Sequence, residues 1–254
     1  MRNLTHTPGS RPEGATGEGD SARAVREMFD RVAPRYDLLN HLLSCNIDRL
    51  WWRSAARRFR HILARPDAQV LDICCGTGDL TLALLRHRPS GARPVIAADF
   101  SRPMLERAAK KLPAGRASVL EADALHLPFS DRSLDLITSA FGFRNLANYQ
   151  AALEEFFRAL APGGELGILD FSQPGGLIGS LYAFYFRRVL PAIGTRISGV
   201  RGAYAYLPSS VENFPAPPIL LDMMLRAGFA RVSWTPYSFG IAGLWRGVRP
   251  ACRK

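Results

Sequence analysis

The chain has 254 residues, 47% hydrophobic and 22% charged, an ordinary balance for a globular protein and enough for one large domain or at most two small ones. Its formal charge of +11 is not ordinary, and nearly all of it is arginine, since lysine occurs only at Lys110, Lys111 and Lys254. The four cysteines, Cys45, Cys74, Cys75 and Cys252, have no metal-ligand or redox-pair spacing, and no apolar stretch reaches the roughly 18 residues a bilayer span needs, so zinc sites and spanning helices are excluded.

Residues 1–22 are rich in Gly, Pro, Ser, Thr and charge, and the pattern predicts a disordered tail there. From residue 24 the apolar positions turn helical, with Val25, Met28, Phe29 and Val32 recurring at i, i+3, i+4 and i+7 until Pro34 interrupts. A second helical stretch over 49–62 completes a helical segment at 23–64, ahead of a main fold that continues to residue 254. An apolar run at 69–73 then precedes a Gly76-Thr77-Gly78 turn and a helix over 80–88. Strands are predicted at 94–98, closed by Asp99, at 117–121 and at 134–139, with a helix over 102–111 between the first two. A helix at 149–160 leads through Pro162-Gly163-Gly164 into a strand at 165–170, and runs at 230–237 and 241–248 flank Ser238-Phe239-Gly240 as a closing hairpin. Alternation of this kind predicts an α/β fold with a parallel sheet covered on both faces.

The glycine turn can hold a phosphate, a dinucleotide or another adenosyl ligand. A kinase-like phosphate loop needs a lysine that is absent after Gly78, and a dinucleotide fingerprint needs a third glycine where Thr81 stands. Asp79 would also face the pyrophosphate and repel it. A ligand without phosphates, such as S-adenosylmethionine with its sulfonium and amino groups, suits acids nearby. Asp72 closes the first strand and Asp99 the second, about 20 residues past the glycines, where an acid grips a ribose diol. Asp123 follows the third strand, in reach of an adenine amino group. Each acid alone is also explained as a helix cap or a loop acid; three together at successive strand ends favour the ligand.

The turn, the acids and the Pro162-Gly163-Gly164 turn together resemble a class I S-adenosylmethionine-dependent methyltransferase over residues 65–250. The resemblance implies a Rossmann-like, mostly parallel seven-stranded sheet with a closing antiparallel hairpin and N-terminal helices. Further signatures narrow it: MFDRVAPRYDLLNHLLS at 28–44, IDRLWW at 47–52, AFGFRN at 140–145, ILDFSQP at 168–174 and YAYLPSSVENFP at 204–215. In this order they resemble the ubiquinone/menaquinone biosynthesis C-methyltransferases, which methylate a ring carbon of a prenylated quinol, typically demethylmenaquinol.

That family's cofactor contacts carry over to Thr77, Asp99, the pair Asp123-Ala124 and the position of Ala140; with Asp72, Gly76 and Gly78, read from the strand end and the turn themselves, they make up the candidate cofactor site. At Ala140 the family has a serine, so a side-chain hydrogen bond is lost and a backbone contact remains available. Asp170 stands where the family often has Glu, and Ser209 where an acid is common. A phenolic hydroxyl with a pKa near 10 needs a base or a cation to make the ring carbon nucleophilic. Arg144 is the candidate cation, with a structural ion pair as its other reading. Asn145, Tyr204, Tyr36 and Tyr206 are candidates to orient the ring or handle its proton, and His126 reads as a loop histidine. Residues 177–193, within a lid insertion at about 175–215, are apolar with Arg187-Arg188 inside and suit a prenyl tail and a membrane surface. The resemblance thus implies S-adenosylmethionine as methyl donor, a prenylated quinol as partner, no metal, no nucleic acid and a cytoplasmic enzyme in contact with the inner face of the membrane. A homodimer, a benzoquinol acceptor, another phenolic acceptor or RNA stay open. A nucleic-acid methyltransferase would show clustered basic and aromatic residues, and none are evident; a non-catalytic quinone-binding protein would not need the intact acids.

Overall fold

The structure is a computed structural model that describes residues 9–12, 14–32, 47–174 and 210–251. Tyr36, Tyr204, Tyr206, Ser209 and all of 175–209 of the expected lid lie outside the described residues.

Seven strands form one sheet in the order β3-β2-β1-β4-β5-β7-β6. They are β1 (Val70–Ile73), β2 (Val95–Asp99), β3 (Ala117–Glu121), β4 (Leu134–Ala140), β5 (Leu160–Phe171), β6 (Ala230–Tyr237) and β7 (Ala242–Val248). β7 runs against the rest of the sheet, antiparallel to both β5 and β6, and forms a hairpin with β6. The expected α/β class, the seven strands and the closing hairpin are all present. The strand order reverses between β1 and β4, which pair directly from Val70↔Leu136 to Asp72↔Thr138. In an open α/β sheet the crevice beyond that switch point is where a ligand fits, because neighbouring connections leave in opposite directions.

The helices are α1 (Glu18–Val32), α2 (Asp48–Arg58), α3 (Arg60–Leu63), α4 (Asp79–Leu85), α5 (Arg102–Lys111), α6 (Tyr149–Ala159) and α7 (Pro217–Arg226). One core lies under α6 and α7, where Phe143, Tyr149, Phe156 and Trp245 are fully buried. On the other face Trp51, Trp52, Ala56 and Phe59 of the α2 segment pack on Leu80, Leu84 and Leu136. β1 is buried along its whole length, Asp72 included, as a central strand covered on both faces is.

Three expectations need correction. The tail does not extend to residue 22, because α1 starts at Glu18, and Ser10 is docked through its N–H to the Leu146 carbonyl at 2.7 Å. β5 starts at Leu160 rather than 165; Pro162-Gly163-Gly164 is held at the sheet because the Gly163 N–H donates to the Arg249 carbonyl and the Arg249 N–H to the Gly164 carbonyl, both at 2.9 Å. The third is α7, absent from the sequence reading. Its signal was there: Pro at the first turn, then Leu220, Met223 and Met224 at i, i+3 and i+4, all buried.

Part of the arginine excess is structural. Arg88 is buried and donates to the carbonyls of Leu63, Arg65, Ala68 and Arg93, tying the end of α4 to the segments around it. Arg249 does the same at the carbonyls of Arg158 and Leu160. A planar guanidinium offers five donors in a fixed fork, against three on a lysine ammonium, and so can meet the four carbonyls around Arg88 at once.

Candidate active site

The turn after β1 is built for close approach. Cys74, Gly76 and Gly78 have φ of 55°, 54° and 90°, which turns the chain sharply between strand and helix. Gly78 is the N-cap of α4, and a Cβ there would press on the Leu112 side chain at 3.1 Å. Gly142 is forced by contact, since a Cβ would lie 2.3 Å from that of Cys74 and the β1 and β4 loops could not close together.

Beyond the strand ends lies an open cleft of about 750 Å³. Gly76, Asp99, Asp123, Ala124, Ala140 and Asn145 line it, so six of the residues singled out in the sequence meet there. A smaller cavity of about 400 Å³ adjoins it at Asp72 and Thr77, with Ala140 and Phe141 shared by both. Gly78 lines neither of these two and serves the turn itself. Ala22, Val25 and Phe29 of α1 close the cleft, and Ser101 donates its hydroxyl proton to Asp30 of that helix at 2.6 Å. The sequence showed the helical apolar period of Val25 and Phe29 but not that it faces the cleft.

Asp99 is 6% exposed; its Oδ2 accepts the Gly76 N–H at 2.8 Å and its Oδ1 the Ser101 N–H at 2.9 Å. Burial still pushes its carboxyl up to about 6. Asp72 is fully buried, held by the hydroxyls of Thr81 at 2.6 Å and Thr138 at 3.0 Å, and burial raises it to about 7. Asp72 is thus less accessible than a direct ligand contact would suggest, because both oxygens are already taken by hydroxyls.

These two shifts give a pH dependence with a definite sign. A raised carboxylate binds more protons folded than unfolded between its unfolded value near 3.8 and its folded one, so it lowers stability as pH rises through that window. Asp72 and Asp99 together are expected to remove several kcal/mol between about pH 4 and 7. Urea unfolding across that range checks it, and Asp72→Asn should flatten the curve; an unchanged curve would mean that Asp72 is ionised at no cost.

Asp79 differs from the expectation of a bare acid. Lys111 Nζ lies 2.6 Å from Asp79 Oδ1 and 3.4 Å from Thr77 Oγ1, so the repulsion argued for a pyrophosphate is largely cancelled. Asp123 turns back on its own loop, accepting the Leu125 N–H at 2.9 Å, and His126 Nδ1 sits 3.3 Å from its carboxylate. His126 is an exposed loop histidine, as read from the sequence. Asp123 and Ala124 both line the cleft.

Arg144 does not present a spare cation to the cleft. Its Nη1 lies 2.9 Å from Asp170 Oδ1 and also donates to the Phe141 carbonyl, while its own N–H reaches Asp170 Oδ2 at 3.1 Å. Burial pushes the Asp170 carboxyl up and the guanidinium pulls it back, leaving it net raised. The ion-pair reading of Arg144 is the one this geometry matches. Its neighbour Asn145 is 7% exposed and lines the cleft, and its Oδ1 is buried with no hydrogen-bond partner among the described residues. A buried acceptor left unmade costs about 1–3 kcal/mol, so this one calls for a donor that the described residues do not supply.

The arrangement fits an adenosyl cation: raised acids gain from a positive neighbour, and the walls at Phe29, Phe100, Met104 and Phe141 are apolar. Comparison with known proteins agrees. A solved SAM-dependent methyltransferase of Thermotoga maritima, described as a possible histamine N-methyltransferase, matches with a TM-score of 0.62 at 20% identity, covering 89% of this chain and 99% of that one, which shows the shared fold. Demethylmenaquinone methyltransferase of Thermus thermophilus is 50% identical over 226 residues, 88% of this chain and 100% of that protein. The demethylmenaquinone methyltransferase of Deinococcus radiodurans is 46% identical over 231 residues, 90% and 93% of the two chains. Ubiquinone/menaquinone biosynthesis C-methyltransferase UbiE of Syntrophotalea carbinolica is 46% identical over 229 residues, 89% and 94%. Since the model of the ubiE/COQ5 methyltransferases matches residues 17–249, from the first turn of α1 to the end of the sheet, this chain belongs to the ubiE/COQ5 methyltransferase family.

Proposed function

We propose that this protein transfers the methyl group of S-adenosylmethionine to a ring carbon of a prenylated quinol, with demethylmenaquinol as the acceptor. What carries the reading is the acid-floored, apolar-walled cleft at the β1–β4 switch, in a chain 46% and 50% identical to two proteins named demethylmenaquinone methyltransferase. Bound S-adenosylmethionine supplies a methyl already activated on a sulfonium, so the protein's work is alignment and exclusion of water.

Asp99 would hold the ribose diol, the 123–124 backbone the adenine edge, and the Gly76-Thr77 turn the methionyl end, with Ala140 offering backbone alone. Asp72 acts one layer back, fixed by Thr81 and Thr138, and its ionised form is favoured once the sulfonium is bound nearby. Asn145 Oδ1 would accept the quinol hydroxyl proton in a hydrogen bond and so set the ring's angle; an amide does not titrate, so Asn145 orients rather than deprotonates. Arg144 is read as a positioning residue that ties the Phe141 carbonyl to Asp170 and so presents Asn145. Tyr204 keeps its place as a candidate on the acceptor side. We place the enzyme at the inner face of the membrane, where a prenylated acceptor resides; among the described residues no helix is long and apolar enough to cross it.

Purified protein given methyl-labelled S-adenosylmethionine with reduced short-chain demethylmenaquinol, the benzoquinol precursor and bulk tRNA in parallel is expected to label the naphthoquinol ring. Label on the benzoquinol alone would move the acceptor, and label on tRNA would sink the reading. In the same assay Asn145→Ala should lower kcat about 10- to 100-fold. Its unfolding free energy should hold or rise, because an unmet buried acceptor is removed; a fall in stability with unchanged kcat would make Asn145 purely structural.

A further inference from the structure

Among the described residues, the exposed large apolar side chains Val119 on β3 and Ile219 and Leu225 on α7 stand singly and need no partner. One group is different. Phe239, 82% exposed, sits at the tip of the β6–β7 hairpin, and Leu50 at 60% and Ile47 at 40% sit at the start of α2. The two elements touch: Trp51 Nε1 donates to Ser238 Oγ at 2.9 Å. At about 100° per residue, Ile47 falls between Leu50 and Trp51 around the helix, so the apolar residues lie on the flank nearest the hairpin. Arg49, Arg53 and Arg57 run along the adjoining side of the exposed face, beyond Leu50. None of the three is ion-paired with an acid among the described residues, and the nearby acid Asp48 is buried, accepting the Arg49 N–H at 2.7 Å.

The hairpin tip has an unusual backbone conformation. Ser238, Phe239 and Gly240 have φ of 46°, 60° and 89°, and the Gly240 carbonyl accepts the Ser172 hydroxyl at 2.7 Å. Two consecutive non-glycine residues in the left-handed region store strain, and its outcome here is a phenyl ring projected into solvent. From the tip an aromatic path leads inward. Trp51 lies 5.9 Å from Phe141 and 6.3 Å from Phe171, and Phe141 lines the cleft.

Apolar side chains beside unneutralised arginines match an anionic bilayer, whose headgroups take the arginines while the acyl boundary takes the rings. We propose that the rim made by Phe239, Leu50 and Ile47 with Arg49, Arg53 and Arg57 docks on an anionic lipid surface, and that the prenylated acceptor passes from there along Trp51 and Phe141 into the cleft. The passage of the acceptor rests on the quinol reading above; the docking face does not.

The test is co-sedimentation of the full chain with vesicles of equal parts phosphatidylglycerol and phosphatidylcholine, and with phosphatidylcholine alone. Phe239→Asn suits the left-handed backbone, and Leu50→Gln is a helix-compatible exposed change, so both should fold. Each is expected to weaken partitioning about tenfold. Arg53→Gln with Arg57→Gln should cost about fivefold per arginine on the anionic vesicles and little on the neutral ones. Turnover of a short-tailed, water-soluble quinol should be unchanged in every variant. Wild-type protein left in the supernatant with both vesicles, or variants that bind as well as wild type, would overturn the proposal. So would sedimentation velocity showing a dimer that Phe239→Asn breaks, which would make this face a contact between two copies. Loss of quinol turnover by the wild type with vesicle binding intact would instead count against the acceptor, leaving the docking face standing.

Discussion

Asp170→Asn is expected to cost about 3–5 kcal/mol of unfolding free energy, a large share of the roughly 5–15 kcal/mol that holds a typical domain. The reason is asymmetric. The Arg144–Asp170 pair is buried, with side chains 6% and 0% exposed, and the amide leaves a guanidinium that cannot shed its proton. Arg144→Met removes the cation instead and leaves a carboxyl, which can take up a proton. Its cost should match near neutral pH and shrink by about 1.4 kcal/mol per unit as pH falls toward 4, because the buried acid binds a proton that the unfolded chain lacks. Urea midpoints of both variants at pH 7.5 and 5.5 check this: Asp170→Asn should be as harmful at either pH. Equal pH dependence in the two variants would mean the pair is not the buried unit it appears from its distances. Both should also reduce turnover, since the pair holds the Phe141 carbonyl and the turn that carries Asn145.

Asp99→Asn should weaken S-adenosylmethionine binding about 100-fold at pH 7.5, since hydrogen bonds to a charged acceptor contribute about 1.5–3 kcal/mol each. Its stability should shift by no more than about 1–2 kcal/mol, because two effects oppose. The amide removes a carboxylate whose pKa burial has raised to about 6, but turns one N–H toward the Gly76 or Ser101 N–H. Wild-type affinity should fall as pH drops through 6, where Asp99 gains its proton. Titration calorimetry reads both; affinity within threefold of wild type for Asp99→Asn would remove Asp99 from the cofactor site.

Much of this protein is written locally. The strands at 117–121 and 230–237 and the helix at 102–111 have the bounds their apolar period and flanking turns indicate, because period and punctuation are short-range properties. The acids at successive strand ends were legible for the same reason: a strand's end is marked by the turn that follows it. α7 was also local, with its prolines and its i, i+3, i+4 apolar set, and went unread.

Other features depend on what lies opposite. Asp99 and Asp123 look alike in sequence, yet one is buried against two N–H groups while the other folds onto its own loop. Lys111 meets Asp79 across 32 residues, Arg144 meets Asp170 across 26, and Trp51 meets Ser238 across 187. The tail likewise ends earlier than its composition indicates, because Ser10 and α1 gain partners on the domain. Sequence by itself determined the α/β alternation, the glycine turn, the acids and the family; whether a given charge is buried, neutralised or aimed into the cleft was decided by tertiary structure, because a charge's pKa and reach depend on the dielectric and partners that distant segments bring to it.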